Sequence, residues 1–408
     1  MELLHARCAG LDVHKDTVVA CLRVEADARL NPEVRTFGTT TRELGKLADW
    51  LAEARITHVV MEATGVYWRP VWHILEGHFE LILANAQHVR NVPGRKSDAS
   101  DAQWLAELLA HGLVRGSFVP PSQVQEVREL TRTRKQLVRT ITQNTQRIQK
   151  TLEAANLKLA SVVTDTLGVT SRLILKALHK GETDPEVLAD LALGRLKNKR
   201  SELVEALRGH VTEHHRFLIG LHLRTIEGIE KEIARIEKRL GKLLKPLAEQ
   251  EARLTTIHGV STTVAQVILG EIGWAMERFA NVAALVSWAG LCPQMHESAG
   301  KKKRNRIRKG ASWLKTVLVQ AAWAAVKTKG SYLQSKFLRI KSRRGATKAI
   351  VAIASDLLKA AYFILRDGVD YKDLGPEYYE RQDKNRAVRR HVKRLQDLGF
   401  EVVIAPVA

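Results

Sequence analysis

At 408 residues, 45% of them hydrophobic, the chain is long enough for roughly two to three domains with real cores. Lysine and arginine total 65 against 44 acids, a net charge of +21 with 15 histidines besides. The expected partner is therefore a polyanion, and an enzyme acting on small neutral metabolites is disfavoured. Cys8, Cys21 and Cys292 show no C-x-x-C spacing, which excludes a disulfide framework and a cysteine-rich zinc module and points to a reducing, cytoplasmic setting. The opening MELLHARCAG lacks an apolar signal core, and the most apolar later windows are broken by Gln320 or by Asp356 and Lys359. Neither secretion nor a membrane span is expected.

In chain order, CAGLDVHKDTVVACLRV (8–24) reads as two strands around a polar turn at His14-Lys15-Asp16, with Thr36–Thr39 continuing the sheet. Leu44, Leu47, Ala48 and Leu51 fall at helical spacing, HVVME (58–62) is a short buried-type strand, and Phe79–Ala84 is another after a helical stretch. A hairpin followed by alternating strands and helices predicts an α/β domain with a partly parallel sheet, in the order of a ribonuclease-H-like fold. After Pro120-Pro121 the pattern changes. Val127, Leu130, Leu137, Ile141, Ile148, Leu152 and Ala155 form one near-heptad seam, and Ile226, Ile229, Ile233, Ile236, Leu240, Leu243 and Leu247 a second. These predict two long helices pairing as an antiparallel coiled-coil arm, with short helices between them over about 160–200. From Leu254, a turn at His258-Gly259-Val260 joins two apolar helices. It matches a helix-hairpin-helix whose amides hold a backbone phosphate, and equally a plain helical corner with Gly259 as its cap. The last forty residues are charged and end in the strand-like FEVVIAPV. The expected division is 1–120, 121–250, 251–368 and a C-terminal extension, 369–408.

Acids within apolar strands are costly unless paired or bound to a cation. Asp12 lies inside the first apolar run, Glu62 ends Val59-Val60-Met61, and Asp98 and Asp101 stand three apart at the start of an amphipathic helix in KSDASDAQWLAELL. Singly they read as a turn residue, a strand-end charge, a helix N-cap and a macrodipole partner. Together, on separate elements meeting at strand ends, they suit hard divalent cations, which demand oxygen ligands and clamp the oxygens of a phosphodiester. Farther on, Ser298 precedes Ala299-Gly300 and a run in which seven of nine residues, Lys301, Lys302, Lys303, Arg304, Arg306, Arg308 and Lys309, are basic. That field suits both an activated hydroxyl and a solvated polyanion tether. Lys336, Arg339, Lys341, Arg343, Arg344 and Lys348 form a further basic group. HVTEH (210–214) satisfies an inverted zinc-protease pattern, but it lies in an arginine-rich helical stretch without an evident third ligand. No phosphate-binding loop or dinucleotide fingerprint occurs.

GLDVHKD, VVMEATGVYW, KSDASDA and GLCPQMHESAGK, in this order over residues 8 to about 367, resemble the DEDD transposases of the insertion-sequence one-hundred-and-ten family, bridge-RNA-guided serine recombinases. The resemblance implies a RuvC-like domain whose Asp12, Glu62, Asp98 and Asp101 bind magnesium, and a helical transposase domain with Ser298 as nucleophile. Members often have glycine directly after the serine, where this chain has Ala299; Ser312 and Ser287 are the neighbouring alternatives. It further implies donor and target DNA as substrates, a guide (bridge) RNA that chooses them, a tetramer, and a cytoplasmic, nucleoid-associated protein. Two other readings compete: a RuvC-type structure-selective endonuclease using metal-activated water, and a non-catalytic architectural nucleic-acid protein.

Overall fold

The computed structural model describes residues 3–26, 29–63, 65–86, 89, 92, 100–114, 116–293, 297–298, 301–302 and 313–403. Two compact units divide the chain, Met1–Val119 and Pro120–Ala408.

The first unit is built on strands β1 (Arg7–Val13), β2 (Thr17–Ala26) and β3 (Arg29–Gly38), helix α1 (Thr41–Glu53), strand β4 (His58–Glu62), helix α2 (Trp68–Leu75), strand β5 (Glu80–Ala84) and helix α3 (Asp101–Ala110). The sheet order is β3-β2-β1-β4-β5, antiparallel through the first three strands and parallel from β1 to β4 to β5. This mixed sheet is consistent with the ribonuclease-H-like expectation. The hairpin turn falls at His14–Asp16, closed by the His14 amide donating to the Thr17 carbonyl at 2.9 Å. β3 begins seven residues before the expected Thr36, because Asn31 and Pro32 disguise it. Pro32 lacks an amide donor, and β3 tolerates it as an edge strand.

Side chains alternate across β1. Ala9, Leu11 and Val13 join Val59 and Met61 under α1 and α2, whereas Cys8 and Val60 pack with Leu105, Leu108 and Leu109 of α3. At Gly10 the helix comes onto the sheet with no side chain between. A Cβ there would lie 2.2 Å from the Ala102 carbonyl oxygen and 2.5 Å from the Ala106 amide nitrogen.

The second unit opens with α4 (Ser122–Ala154), followed by α5 (Leu159–Val162), α6 (Val169–Lys180), α7 (Pro185–Asp190), α8 (Arg200–Ala206) and α9 (Glu213–Leu243). α4 and α9 run antiparallel: Glu126 pairs with Arg239, Arg134 with Glu237, and Asn144 meets His222. The expected short helices between them form a small domain with its own core, in which Ile148 and Leu152 pack with Ile174, Leu178, Leu203 and Ile219. α9 starts thirteen residues before Ile226, where its seam begins, because Thr212 and His215 cap it reciprocally.

Beyond lie α10 (Ala248–Thr255), α11 (Thr262–Ile272), α12 (Val282–Trp288), the two-residue strands β6 (Glu297–Ser298) and β7 (Lys301–Lys302), α13 (Trp313–Ala325), α14 (Tyr332–Arg344), α15 (Ala346–Asp367) and α16 (Tyr378–Asp397). Glu271 of α11, only 2% exposed, accepts a two-pronged hydrogen bond from Arg132 at 2.8 and 2.9 Å, and Arg128 donates to the Gly270 and Glu271 carbonyls. That knot ties the base of α4 to the C-terminal helices. α16 is a helix that the charged sequence conceals. Of the strand-like ending, Phe400–Val403 form no strand and Val403 is 89% exposed; its remaining residues lie outside the described residues. No described helix is long and apolar enough to cross a membrane.

Glu271→Ala leaves the Arg132 guanidinium without its carboxylate while Arg128 keeps its backbone carbonyl acceptors, and is expected to cost about 2–3 kcal/mol, read as a lowered denaturant midpoint. Burial pushes the thiols of Cys8 and Cys21 up to about 11, so both stay protonated and shielded at neutral pH. Iodoacetamide on the native chain should label Cys292 first, with the other two reacting only after denaturation, as mass spectrometry of the peptides would show.

Candidate functional site

The acids of the first unit are set by strand register. β1 and β4 are parallel with Leu11 opposite Met61, so Asp12 and Glu62 are the next residues of adjacent strands. They lie at the strands' C-terminal ends and project to the same face. Since Leu11 and Met61 point under α1 and α2, that face is the one covered by α3. α3 begins there: its residue Ala102 presses on Gly10, two positions before Asp12, and Asp101 is the first residue of the helix. The helix start is defined by Ser100, whose hydroxyl accepts from the Gln103 amide while Gln103 returns a bond to the Ser100 amide. This corrects the expectation that Asp98 and Asp101 share the first turn. The cap is Ser100, Asp98 precedes the helix, and Asp98 lies outside the described residues.

Asp12 keeps 21% of its side chain exposed and holds His14 Nε2 at 3.1 Å from Oδ2. Glu62 is half-buried and Asp101 exposed. Among the described residues no three histidine, cysteine, aspartate or glutamate side chains gather closely enough to hold a metal ion. The donors that the register does bring together are carboxylate oxygens, the ligand type of magnesium and calcium and not of soft metals. His210 and His214 of the zinc-protease-like pattern flank Thr212, whose hydroxyl serves as the N-cap of α9.

The second unit holds Ser298. It sits on β6, directly opposite Lys301 of β7, with Glu297 opposite Lys302. Lys303, Arg304, Arg306, Arg308, Lys309 and Ser312 fall outside the described residues. Ser287 is half-buried near the end of α12, where its carbonyl accepts from the Gly290 amide at 3.0 Å. Gly259 has a positive φ of 81°, and a Cβ would meet the Ala321 oxygen and the Ala325 nitrogen of α13 at 2.5 Å each. Close packing against α13 therefore accounts for this glycine without a phosphate. Arg343 and Arg344 end α14, exposed and suitably placed for the helix's negative end.

A polar knot that sequence reasoning missed lies between α14, α15 and α16. Lys336 meets Asp356 at 2.6 Å, and the hydroxyls of Tyr332 and Tyr379 are 2.8 Å apart. Tyr371 donates to Asp373 at 3.3 Å. Burial drives the Tyr332, Tyr371 and Tyr379 phenols upward, away from ionisation. At Lys336 burial pulls downward, but Asp356 and Tyr379 together outweigh it and the net shift is upward. The signal was available. Asp356 interrupts the apolar run AIVAIASDLLKAAYFI just as Asp12 interrupts its strand.

Comparison with known proteins finds two family matches along the chain. A DEDD transposase profile of the IS110 family matches residues 9–156, the stretch holding all four acids. A second, described as Transposase IS116/IS110/IS902 family, matches residues 251–338, which contain Ser298. Together they span more than half of the chain. A probable family 20 transposase of Pseudomonas aeruginosa is 24% identical over 324 residues, covering 77% of this chain and 85% of that protein. The transposase for insertion sequence element IS1111A of Coxiella burnetii is 24% identical over 353 residues, covering 85% and 86%. The chain belongs to the IS110 family of transposases and is a DNA transposase.

Proposed function

We propose that this transposase cuts and rejoins the DNA strands of its mobile element through Ser298, assisted by a divalent cation on Asp12, Glu62, Asp98 and Asp101. The observation that carries the reading is the register that puts Asp12 and Glu62 on one face at the ends of β1 and β4, where α3 starts with Asp101. The all-oxygen donor set fits magnesium, which when bound would polarise the scissile phosphate. The described acids would orient the phosphate through that charge, and His14, 3.1 Å from Asp12, would move aside.

Ser298 Oγ attacks phosphorus, the bond from phosphorus to the departing strand's oxygen breaks, and that oxygen takes up the proton. The phosphoserine link retains the free energy of the broken bond. Attack by a strand-end hydroxyl then reforms a phosphodiester and returns the proton to serine, so no ATP is needed. Lys301 pairs with Ser298 in the β6–β7 ladder, and the basic run that starts there would supply positive charge for the developing phosphorane oxygens. A guide RNA from the same element would choose donor and target by base pairing, leaving the protein to hold backbones, and the charge of +21 suits that division. A tetramer would let the acids of one subunit serve the serine of another.

The test is a protein–DNA adduct that survives SDS. Wild type should form it, and Ser298→Ala should abolish it while DNA binding persists. Strand cleavage that continues in Ser298→Ala without an adduct would replace the serine by metal-activated water, as in a structure-selective nuclease. Asp12→Asn should lower strand transfer by about 10²-fold or more at saturating magnesium, measured on a labelled substrate; unchanged transfer would remove Asp12 from the chemistry.

A further inference from the structure

A cleft of about 690 Å³ opens between α12, α14 and α15 in the second unit, and the reading of Ser298 does not use it. One stripe of each long helix lines it. Lys336, Ile340 and Arg344 recur every four residues along α14, and Lys348, Ala352, Asp356 and Lys359 follow helical spacing along α15. The middle is apolar, walled by Val282, Val286, Ile340, Val351 and Ala352. Its two ends differ in charge. At the inner end Asp356 neutralises Lys336 at 2.6 Å and approaches Lys359 at 3.4 Å. At the other end, around the α14–α15 corner, Arg344 and Lys348 are exposed and neither shows an ion pair to a described residue. The lip is Leu291, Cys292 and Pro293, and Ser298 follows Pro293 by five residues.

An apolar wall with two uncompensated cations at one end matches a molecule that is flat and apolar at one end and anionic at the other. The volume falls in the range of pockets that enclose a small organic ligand, about 300–1,000 Å³, and is far too small for a duplex. We propose that the cleft receives one unstacked nucleotide of a DNA strand, its base against the apolar wall and its flanking phosphate on Arg344 and Lys348. The inference rests on the proposed strand-transfer reading, which it deepens: a base taken out of the stack here would fix the strand beside the segment that carries Ser298.

The cleft carries its own reporter, because Cys292 lines it and the other two thiols are buried. The experiment measures the rate of Cys292 alkylation by iodoacetamide on the full chain, alone, with a single-stranded DNA oligonucleotide, and with a tetrahydrofuran oligonucleotide of equal length lacking every base. The DNA oligonucleotide should slow labelling about tenfold, and the baseless one much less. Ala352→Trp, which fills the wall, should weaken binding of the DNA oligonucleotide by about tenfold and leave the baseless one unchanged. Unprotected Cys292 under a bound oligonucleotide, or equal protection by the baseless strand, overturns the proposal, the latter in favour of backbone contact alone. Circular dichroism of Ala352→Trp guards against misfolding, and the Cys292 footprint stands without any variant. Repeating the footprint in Ser298→Ala should give the same protection. A failed adduct assay with intact protection therefore removes the nucleophile and not the cleft, and the reverse result does the opposite.

Discussion

The acid-bearing face of the first unit's sheet depends on an absent side chain. At Gly10 the backbone of α3 lies directly on β1, and even a methyl group would meet the Ala102 oxygen at 2.2 Å. Cys8, Cys21, Ala102 and Ala106 keep the surrounding contact thin, and the Cys8 thiol reaches the Ala106 carbonyl at 3.5 Å. This close approach brings the start of α3 to the end of β1, so an acid at the first position of the helix comes toward acids at the ends of two strands. A larger residue would lift the helix and draw its first residue, Asp101, away from Asp12 and Glu62 while leaving the other face of the sheet, under α1 and α2, untouched.

The second unit solves a different problem, holding a long helical pair and a set of basic elements in one body. Its fixed point is Glu271, a nearly buried carboxylate whose charge is met by Arg132 and Arg128. Trp313 at the start of α13 stacks against Arg132 and Lys135, linking the base of α4 to the helix that follows the basic run. Lys336 and Asp356 play a similar part farther on, with one difference: their pair borders an open cleft. Buried pairs of this kind add little net stability but exact a high cost when one partner is removed, which is how they fix a unique arrangement.

Much of the first unit was legible in the sequence. The hairpin, α1, β4 and β5 follow from hydrophobic periodicity, and Asp12 and Glu62 stand out because acids within apolar runs need a reason. What was hidden has physical causes. β3 is an edge strand, where proline and charge are tolerated, so its first half carries no strand signature. Asp98, taken singly, reads as an N-cap, but Ser100 caps α3, since KSDASDA offers several capping residues in a row and only the reciprocal bond with Gln103 decides among them. α16 was overlooked because its charges outnumber an apolar stripe of Val388, Val392 and Leu395. The tyrosine and Asp356 knot joins residues distant in sequence, a relation that periodicity along one helix does not express. Gly259 could be read as phosphate binder or helical corner, and only the approach of α13 supplies the packing reason.

Asp12 and Glu62 are proposed to share a divalent cation. Manganese, a spectroscopic substitute for magnesium, tests it through anomalous diffraction from crystals of the full chain bound to DNA. The expected result is a peak between the ends of β1 and β4, within ligand distance of both carboxylates and lost in Asp12→Asn crystals. A peak elsewhere, with Asp12 still paired to His14 and Glu62 uncoordinated, would contradict it.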